Sequence, residues 1–451
     1  MKTAFKILKE MLVAMLLIVT SAFSQNPIVA NVGLNDPHIH IFNDTAYVYA
    51  SHDKSINNDK FIMENWWVWS SPDLVNWTKR SELSPKDTYI RKDYVNCWAT
   101  DVAYKNGKYY WYFSEGNKQT GVVVGNSPVG PWKDVLGKPL LNSSLTPTHE
   151  YDISIFEENG EHFIIFGVWD YYIAKLHENM ISLAETPKKI TINNPRGPYN
   201  LDGENKKMPT DDKPFVHKYN GKYYLSWGCF YAMADNLYGP YEYKDTIIKE
   251  ESFAKGYDAP TWPNGFLQGR HGSFFTWHNQ WYYAYCDISQ TGNRYFRDSF
   301  ISYLHYKDNG EMATIRVDSL GVANYNANFS IEAEEYFKAE GVSKVENTKG
   351  GFSVEFLKKN GYIIFPNIKK LNNKTTIELE VLVNKTAKIE LREANSKGKL
   401  LATCILPKND IYAFQKRQFN IKNIEGVKSI CLVFKTNDKT PLRLNRFKFK
   451  S

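Results

Sequence analysis

A chain of 451 residues exceeds one ordinary core, so two domains are expected. Its five cysteines are odd in number, widely spaced and without a Cys-x-x-Cys pair, which excludes a zinc ribbon or a disulfide framework; Cys404 and Cys431 could pair, but buried free thiols are the better expectation. The net charge of +7 is uneven: residues 331–451 carry 24 Lys and Arg against 13 Asp and Glu, the first 24 residues hold +2, and residues 25–330 hold −6.

Residues 1–24 read as a secretory signal peptide. Lys2, Lys6 and Lys9 form a basic start, "MLVAMLLIV" is the apolar run, and Ala22 and Ser24 are small residues at cleavage spacing, with the cut expected after Ser24. The run is short for a bilayer span and no later stretch is apolar enough. No membrane span is therefore expected after signal cleavage, and the chain is expected to be secreted or periplasmic. Nucleic acid is not an expected partner behind a signal peptide. The basic C-terminal part suits a solvated lysine-rich surface or an acidic polymer.

Residues 25–328 are organised by one recurring pattern: "FNDTAYVYASHD", "YKNGKYYWYFSEG", "EENGEHFIIFG", "KYNGKYYLSWG" and "WHNQWYYAYCD". Each copy reads as a tight turn feeding an alternating strand. The anchoring residues Asn43, Asn106, Asn159, Asn220 and Asn279 are 63, 53, 61 and 59 residues apart. That period, with several strands per unit, predicts a five-bladed β-propeller. "WWVWSSPDLVNW" and "TGVVVGNSPVGPW" supply further strands. The pattern ends after "YLHYKDNGEMATIRV". Residues 329–451, with "TTIELEVLV", "AKIELREA" and "SICLVFK", predict a β-sandwich of jelly-roll type. The expected fold class is all-β.

A propeller brings the inner strands of all blades to one axis, so a polar residue ahead of each hairpin can converge on one pocket. Asp36, Asp101, Asp152 and Asp212 stand 7, 5, 7 and 8 residues before the first four Asn, and His271 stands 8 before the fifth. Singly, each Asp is more readily a turn or cap residue; a polar residue at a similar offset in every blade points to a site. Glycoside hydrolysis needs two carboxyl groups flanking one bond, ~6.5–9.5 Å apart when the configuration is inverted.

These pieces, together with "NDPHIHIFNDTAYVYASHD", "WATDVAYKNGKYYWYF", "HEYDISIFEENG", "HGSFFTWHNQWYYAY" and "NRYFRDSFISYLHYKDNG", resemble glycoside hydrolase family 43 over about 28–318. The resemblance implies a five-bladed enzyme acting mainly on arabinose- and xylose-containing polymers. It implies Asp36 as the general base, Asp152 as the carboxylate that orients the acid and adjusts its pKa, His271 as an axial His associated with a central metal or water cluster, and Arg297 as a sugar contact. Asp101 matches a position that is often acidic. The family has Glu-Gly-Pro ahead of the fourth hairpin, whereas this chain has Asp212-Lys213-Pro214. Asp212 is the expected acid, and alternation along a strand turns Lys213 away from it. The alternatives are Asp211 by a register shift, which alternation disfavours, another group such as Glu150, Glu250, Glu251 or His217, or a non-catalytic glycan-binding propeller. Trp98, Trp169, Trp227 and Phe230 flank the candidate acids and are expected to stack on sugar, or else to be inter-blade core. The Asn-Asp-Pro opening is also similar to fructan- and sucrose-cleaving enzymes, but their Glu-Cys pair is absent and "FRDSF" stands too late.

"IEAEEYFKAEGVSKVENTKGGFSVEFLKKNGYIIF" and "LVFKTNDKTPLRLNRFKF" resemble carbohydrate-binding module family 6 over about 330–450. This implies a structural calcium with Glu332 and Glu334 as ligands, and Phe356 and Tyr412 as a sugar clamp. A family Asn that contacts sugar is replaced by Arg443, with Asn445 close by. The expected protein is a secreted inverting glycoside hydrolase releasing arabinofuranosyl, xylosyl or galactose-type sugars from a polysaccharide or oligosaccharide, with no organic cofactor.

Overall fold

Each of the five hairpins closes on a two-residue turn with positive φ at both positions: Asn43–Asp44 (49°, 57°), Asn106–Gly107 (51°, 78°), Asn159–Gly160 (53°, 79°), Asn220–Gly221 (46°, 81°) and His278–Asn279 (52°, 68°). Only turns of this kind match the right-handed twist of the flanking strands, and Asn, Asp and Gly tolerate them best. The fifth turn begins at His278, because Trp277 pairs with Gln280. The turn is thus one residue earlier than Asn279 alone suggests.

The computed structural model describes residues 25–199, 208–253, 270–408, 413–422, 424–436 and 442–451. The signal-peptide segment lies outside these. Blade one is β1 (Leu34–Phe42), β2 (Thr45–Asp53), β3 (Met63–Ser71) and β4 (Thr78–Leu83). Blade two is β5 (Cys97–Lys105), β6 (Lys108–Glu115) and β7 (Gln119–Gly125). Blade three is β8 (Ser154–Glu158), β9 (Glu161–Phe166), β10 (Tyr172–Lys175) and β11 (Lys188–Lys189). Blade four contains β12 (Ile192–Asn193), β13 (Pro214–Tyr219), β14 (Lys222–Trp227), β15 (Phe230–Ala234) and β16 (Tyr241–Thr246); blade five is β17 (Arg270–Trp277), β18 (Gln280–Asp287) and β19 (Asp298–Leu304). Within each blade the strands run antiparallel from the inner strand outward, apart from the parallel pairing of β12 with β16. The ring is closed by residues 25–28, where Ile28 N donates to Ser299 O at 2.8 Å and Asn26 Nδ2 donates to Ile301 O at 3.0 Å.

Aromatic rings fill the wedges between blades. Tyr224, Trp227, Tyr231, Tyr241, Tyr283 and Tyr285 are all wholly buried. Such rings bury a large apolar area each and pack edge-to-face or offset between adjacent sheets, which accounts for the high Tyr and Trp content. All five cysteines are free and buried.

The C-terminal part is a sandwich of two antiparallel sheets. One holds Val342–Glu346, Phe352–Phe356, Leu442–Lys450, Thr376–Val383 and Gln415–Asn420; the other holds Lys338–Glu340, Tyr362–Phe365, Ile430–Phe434, Ala387–Glu393 and Leu400–Leu406. Thr376–Val383 alternates buried and half-buried residues, as a sheet covered on one face requires. The sandwich sits on blade five. Gln280 Nε2 donates to Glu334 O (2.8 Å) and Tyr336 O (3.0 Å), Tyr336 OH donates to Asn279 O (2.8 Å), and Arg316 pairs with Glu335 at 2.8 Å. Tyr325–Asn326 already pairs with Ile368–Lys369, so the strand bonding of the sandwich begins slightly before residue 328.

Candidate active site

Seven residues before the turn, four blades place a non-glycine residue with left-handed backbone: Asp36 (φ 49°), Asp152 (57°), Lys213 (58°) and His271 (49°). Asp36 and His271 lie at register breaks of β1 and β17, and Asp152 and Lys213 lie just ahead of β8 and β13. Blade two has Ala99 at its corresponding break, between Trp98 and Thr100. A bulge re-aims a side chain, and positive φ outside glycine is kept chiefly where function holds it. The inner ring is therefore Asp36, Asp152, Lys213 and His271. Asp212 precedes it by one step and Asp101 lies two steps beyond it.

His271 bridges two carboxylates. Its Nδ1 is 3.0 Å from Asp36 Oδ1 and its Nε2 is 2.9 Å from Asp212 Oδ1. Burial disfavours the imidazolium, but Asp212 and Asp36 outweigh it and raise the His271 pKa to about 10. Asp36 also takes Arg297 Nη1 at 3.0 Å and Ser51 Oγ at 2.7 Å. Burial pushes its pKa up, and Arg297 and His271 overcome this to hold the carboxyl well below the ordinary range. Asp36 is thus an ionised carboxylate, the state a base requires.

Asp212 receives Arg270 Nη2 at 3.0 Å as well as His271, while Arg270 grips Asp211 with two bonds of 2.8 Å. Burial opposes ionisation of Asp212, but His271 and Arg270 lower its pKa. Asp152 behaves in the opposite way: burial and then the Asp212 charge raise it to about 7. The side chain of Asp212 is 25% exposed, whereas Asp152 is 3% exposed. One carboxyl group thus holds a proton near neutrality and its neighbour reaches the open side.

Several expected residues take other places. Arg297 is buried and engages Asp36, Asn35 and Asp53, the last through Nε at 3.0 Å and Nη2 at 3.0 Å, so it clamps Asp36 instead of reaching a sugar. Asp101 is wholly buried and holds His38 (2.8 Å), His40 (2.6 Å) and the Ile155 amide (2.6 Å), tying three inner strands together. Trp227 and Phe230 are inter-blade core at 0% and 2% exposure. Trp169 is 37% exposed and its amide donates to Asp211 O at 3.1 Å, which puts it at the rim. Trp98 lies between Phe61 (6.5 Å) and Tyr151 (5.9 Å). Lys213 points inward, against the alternation argument, because a left-handed residue ahead of a strand does not follow the pleat.

The alternative acids sit elsewhere. Glu150 caps a local turn through Thr146, His217 is stacked in an aromatic box with Tyr224 and Phe274, and Glu250 and Glu251 are exposed in a short 3-10 turn. Residues that sequence reasoning missed are Asp53, Arg270 and Ser51; Asp211, the register-shifted alternative, is held by Arg270 through two bonds of 2.8 Å. The doublet Asp211–Asp212 and the "GRHG" run were the available signals.

A pH effect on stability follows from His271. Its folded pKa of about 10 exceeds the ordinary histidine value, so its contribution is fully present below pH ~6.5 and is lost as pH rises through 10. The thermal midpoint is expected to fall over that window in wild type and less in His271→Gln; equal slopes would contradict the ion-pair assignment.

Residues 24–312 match the sequence model of glycosyl hydrolases family 43. The chain belongs to that family. Residues 332–451 match carbohydrate binding module (family 6). This family 43 chain is 26% identical over 473 residues to an arabinoxylan arabinofuranohydrolase of Paenibacillus polymyxa, across 91% of this chain and 72% of the relative. It is 25% identical over 337 residues to a xylosidase/arabinosidase of Bacteroides ovatus, across 62% and 94%. Its fold matches, with TM-score 0.54 and 21% identity, a family 43 arabinoxylan arabinofuranohydrolase of Bacillus subtilis solved with cellotetraose, covering 95% of this chain and 98% of that one. The family 43 chain is a glycoside hydrolase carrying a binding-module sandwich.

Donor atoms of Asp152, Asp212 and His271 lie within 4.8 Å of one another. They do not fit a dication as arranged: both His271 nitrogens face carboxylates and Asp212 Oδ1 is shared by His271 and Arg270, so the donor atoms of two of the three residues are already engaged. In the sandwich, Glu332 faces Arg446 (3.9 Å) while Glu334 is buried on the blade-five side, raised well above its ordinary pKa by burial. Glu334 Oε2 is buried without a hydrogen-bond partner, and among the described residues neither Glu332 nor Glu334 belongs to a group of three convergent His, Cys, Asp or Glu side chains. Phe356 is sandwich core at 2% exposure, Arg443 pairs with Glu355 at 3.2 Å, and Tyr412 lies outside the described residues.

Proposed function

We propose that the protein is a secreted inverting hydrolase that releases arabinofuranosyl or xylosyl residues from a plant-type polysaccharide or its oligosaccharides. The observation that carries the mechanism is the His271 bridge between Asp36 and Asp212. One imidazole with contacts of 3.0 and 2.9 Å spaces the two carboxylates by up to ~8 Å, overlapping the ~6.5–9.5 Å that admits a water. Asp36, ionised and clamped by Arg297, takes the proton of the attacking water. The Asp152–Asp212 pair holds the other proton, and Asp212, its exposed member, delivers it to the leaving oxygen. Such a proton belongs to the pair. Trp169 and Trp98 provide flat faces for the sugar.

The names of the relatives support pentose substrates, and the basic, apolar and small-residue order of the first 24 residues supports export. The test is a panel of arabinofuranosides, xylosides and galactosides, with the anomer of the first product read by proton NMR. Cleavage of a pentoside with inverted product is expected. Retained configuration would overturn the mechanism, and sugar binding without any cleavage would favour a binding propeller.

A further inference from the structure

Lys213 takes no part in the steps above, yet its placement is costly. Its side chain is wholly buried, and its Nζ donates to Thr100 O on the inner strand of blade two and to Ile153 O just ahead of that of blade three, both at 3.2 Å. The carboxylates of Asp152, Asp36 and Asp101 lie within its electrostatic reach. Its backbone is left-handed, φ 58°, where glycine is at ease and lysine is not. Taking an ammonium out of water is unfavourable unless oxygen ligands and counter-charges replace the solvent. Two main-chain carbonyls with carboxylates beyond them are the surroundings of a hard cation. In the ring step of the fourth blade the chain has thus put a point charge on a stem, where the backbone itself favours glycine.

We infer that Lys213 is a tethered cation of the propeller axis, joining the inner ends of blades two, three and four and supplying the positive charge that the ring carboxylates would otherwise draw from a metal ion. It is a positioning residue, acting through Asp36 and Asp152. Only its effect on catalysis rests on the hydrolase reading; its effect on cation binding stands apart. This also explains why the donor atoms of Asp152, Asp212 and His271 stand close together without fitting a dication. The axis already contains its positive charges, on Lys213, His271 and Arg270.

The test uses the full chain with Lys213→Met and Lys213→Gly, the second of which also suits the backbone. In wild type propylammonium chloride should not move the thermal midpoint, and the calcium response of wild type is the baseline for the variants. In Lys213→Gly the midpoint should rise on adding calcium or propylammonium chloride, because the vacated slot regains a cation. Both variants should lose kcat by ~10²-fold, the scale of one preorganised donor, with KM little changed, and propylammonium should restore part of it only in Lys213→Gly. Wild-type kcat in a folded Lys213→Met, or a Lys213→Gly midpoint that responds to neither cation more than wild type does, would each overturn the inference. Should wild type cleave no glycoside, the functional reading fails, while the thermal measurements still decide the role of Lys213.

Discussion

Asp36→Asn is expected to lower kcat by ~10²–10⁴-fold, the usual worth of a positioned base. The substitution keeps an acceptor for Ser51 Oγ and leaves Arg297 bound to Asp53 through two side-chain bonds of 3.0 Å, so the clamp and the fold should survive. An unchanged cooperative melting transition, together with KM near the wild-type value, would place the loss in the chemical step. A variant that retains wild-type turnover would show that Asp36 is not the base and that the His271 bridge serves structure alone.

The second large effect concerns the acid. Asp212→Asn should cost ~10²–10⁴-fold on a substrate whose leaving group is a sugar alcohol, and much less on one that departs as a nitrophenolate, because a stable anion needs no proton. Asp152→Asn removes the carboxyl whose pKa stands near 7, and should move the alkaline side of the rate profile as well as its height. A leaving-group-independent loss in Asp212→Asn would instead assign that residue to holding Arg270 and His271. The two variants are best read together, since the pair shares one proton and neither residue owns the macroscopic titration.

The propeller was legible because its signal is local. Turns with two left-handed residues demand Asn, Asp or Gly, and five such turns at near-regular spacing announce the blades before any side chain is placed. The ring was half legible. Asp36, Asp152 and His271 could be found by counting back from the turns, but a one-residue error at His278 hid the common step of seven. It also concealed that Lys213, and not Asp212, completes the set. Alternation failed at Lys213 because it presumes a regular pleat. Arg297 was found but its role was not, because its partner Asp53 comes from β2, and only closure of the ring brings the two together. The aromatic residues carried the least information: a chain that packs its blades with Tyr and Trp gives no local mark to separate Trp169 at the rim from Trp227 in the core.

The left-handed ring positions have a further consequence. Four residues held at φ 49° to 58° where glycine would be at ease carry a backbone cost, which the buried contacts of Asp36, Lys213 and His271 offset. Replacing any of these three by glycine would relieve the backbone but strand buried charges, so it would gain no heat resistance and would lose turnover. Such trade-offs arise where chemistry, and not packing, chooses the residue. The most rewarding stabilising changes should therefore be sought on the outer strands and in the sandwich, far from the axis.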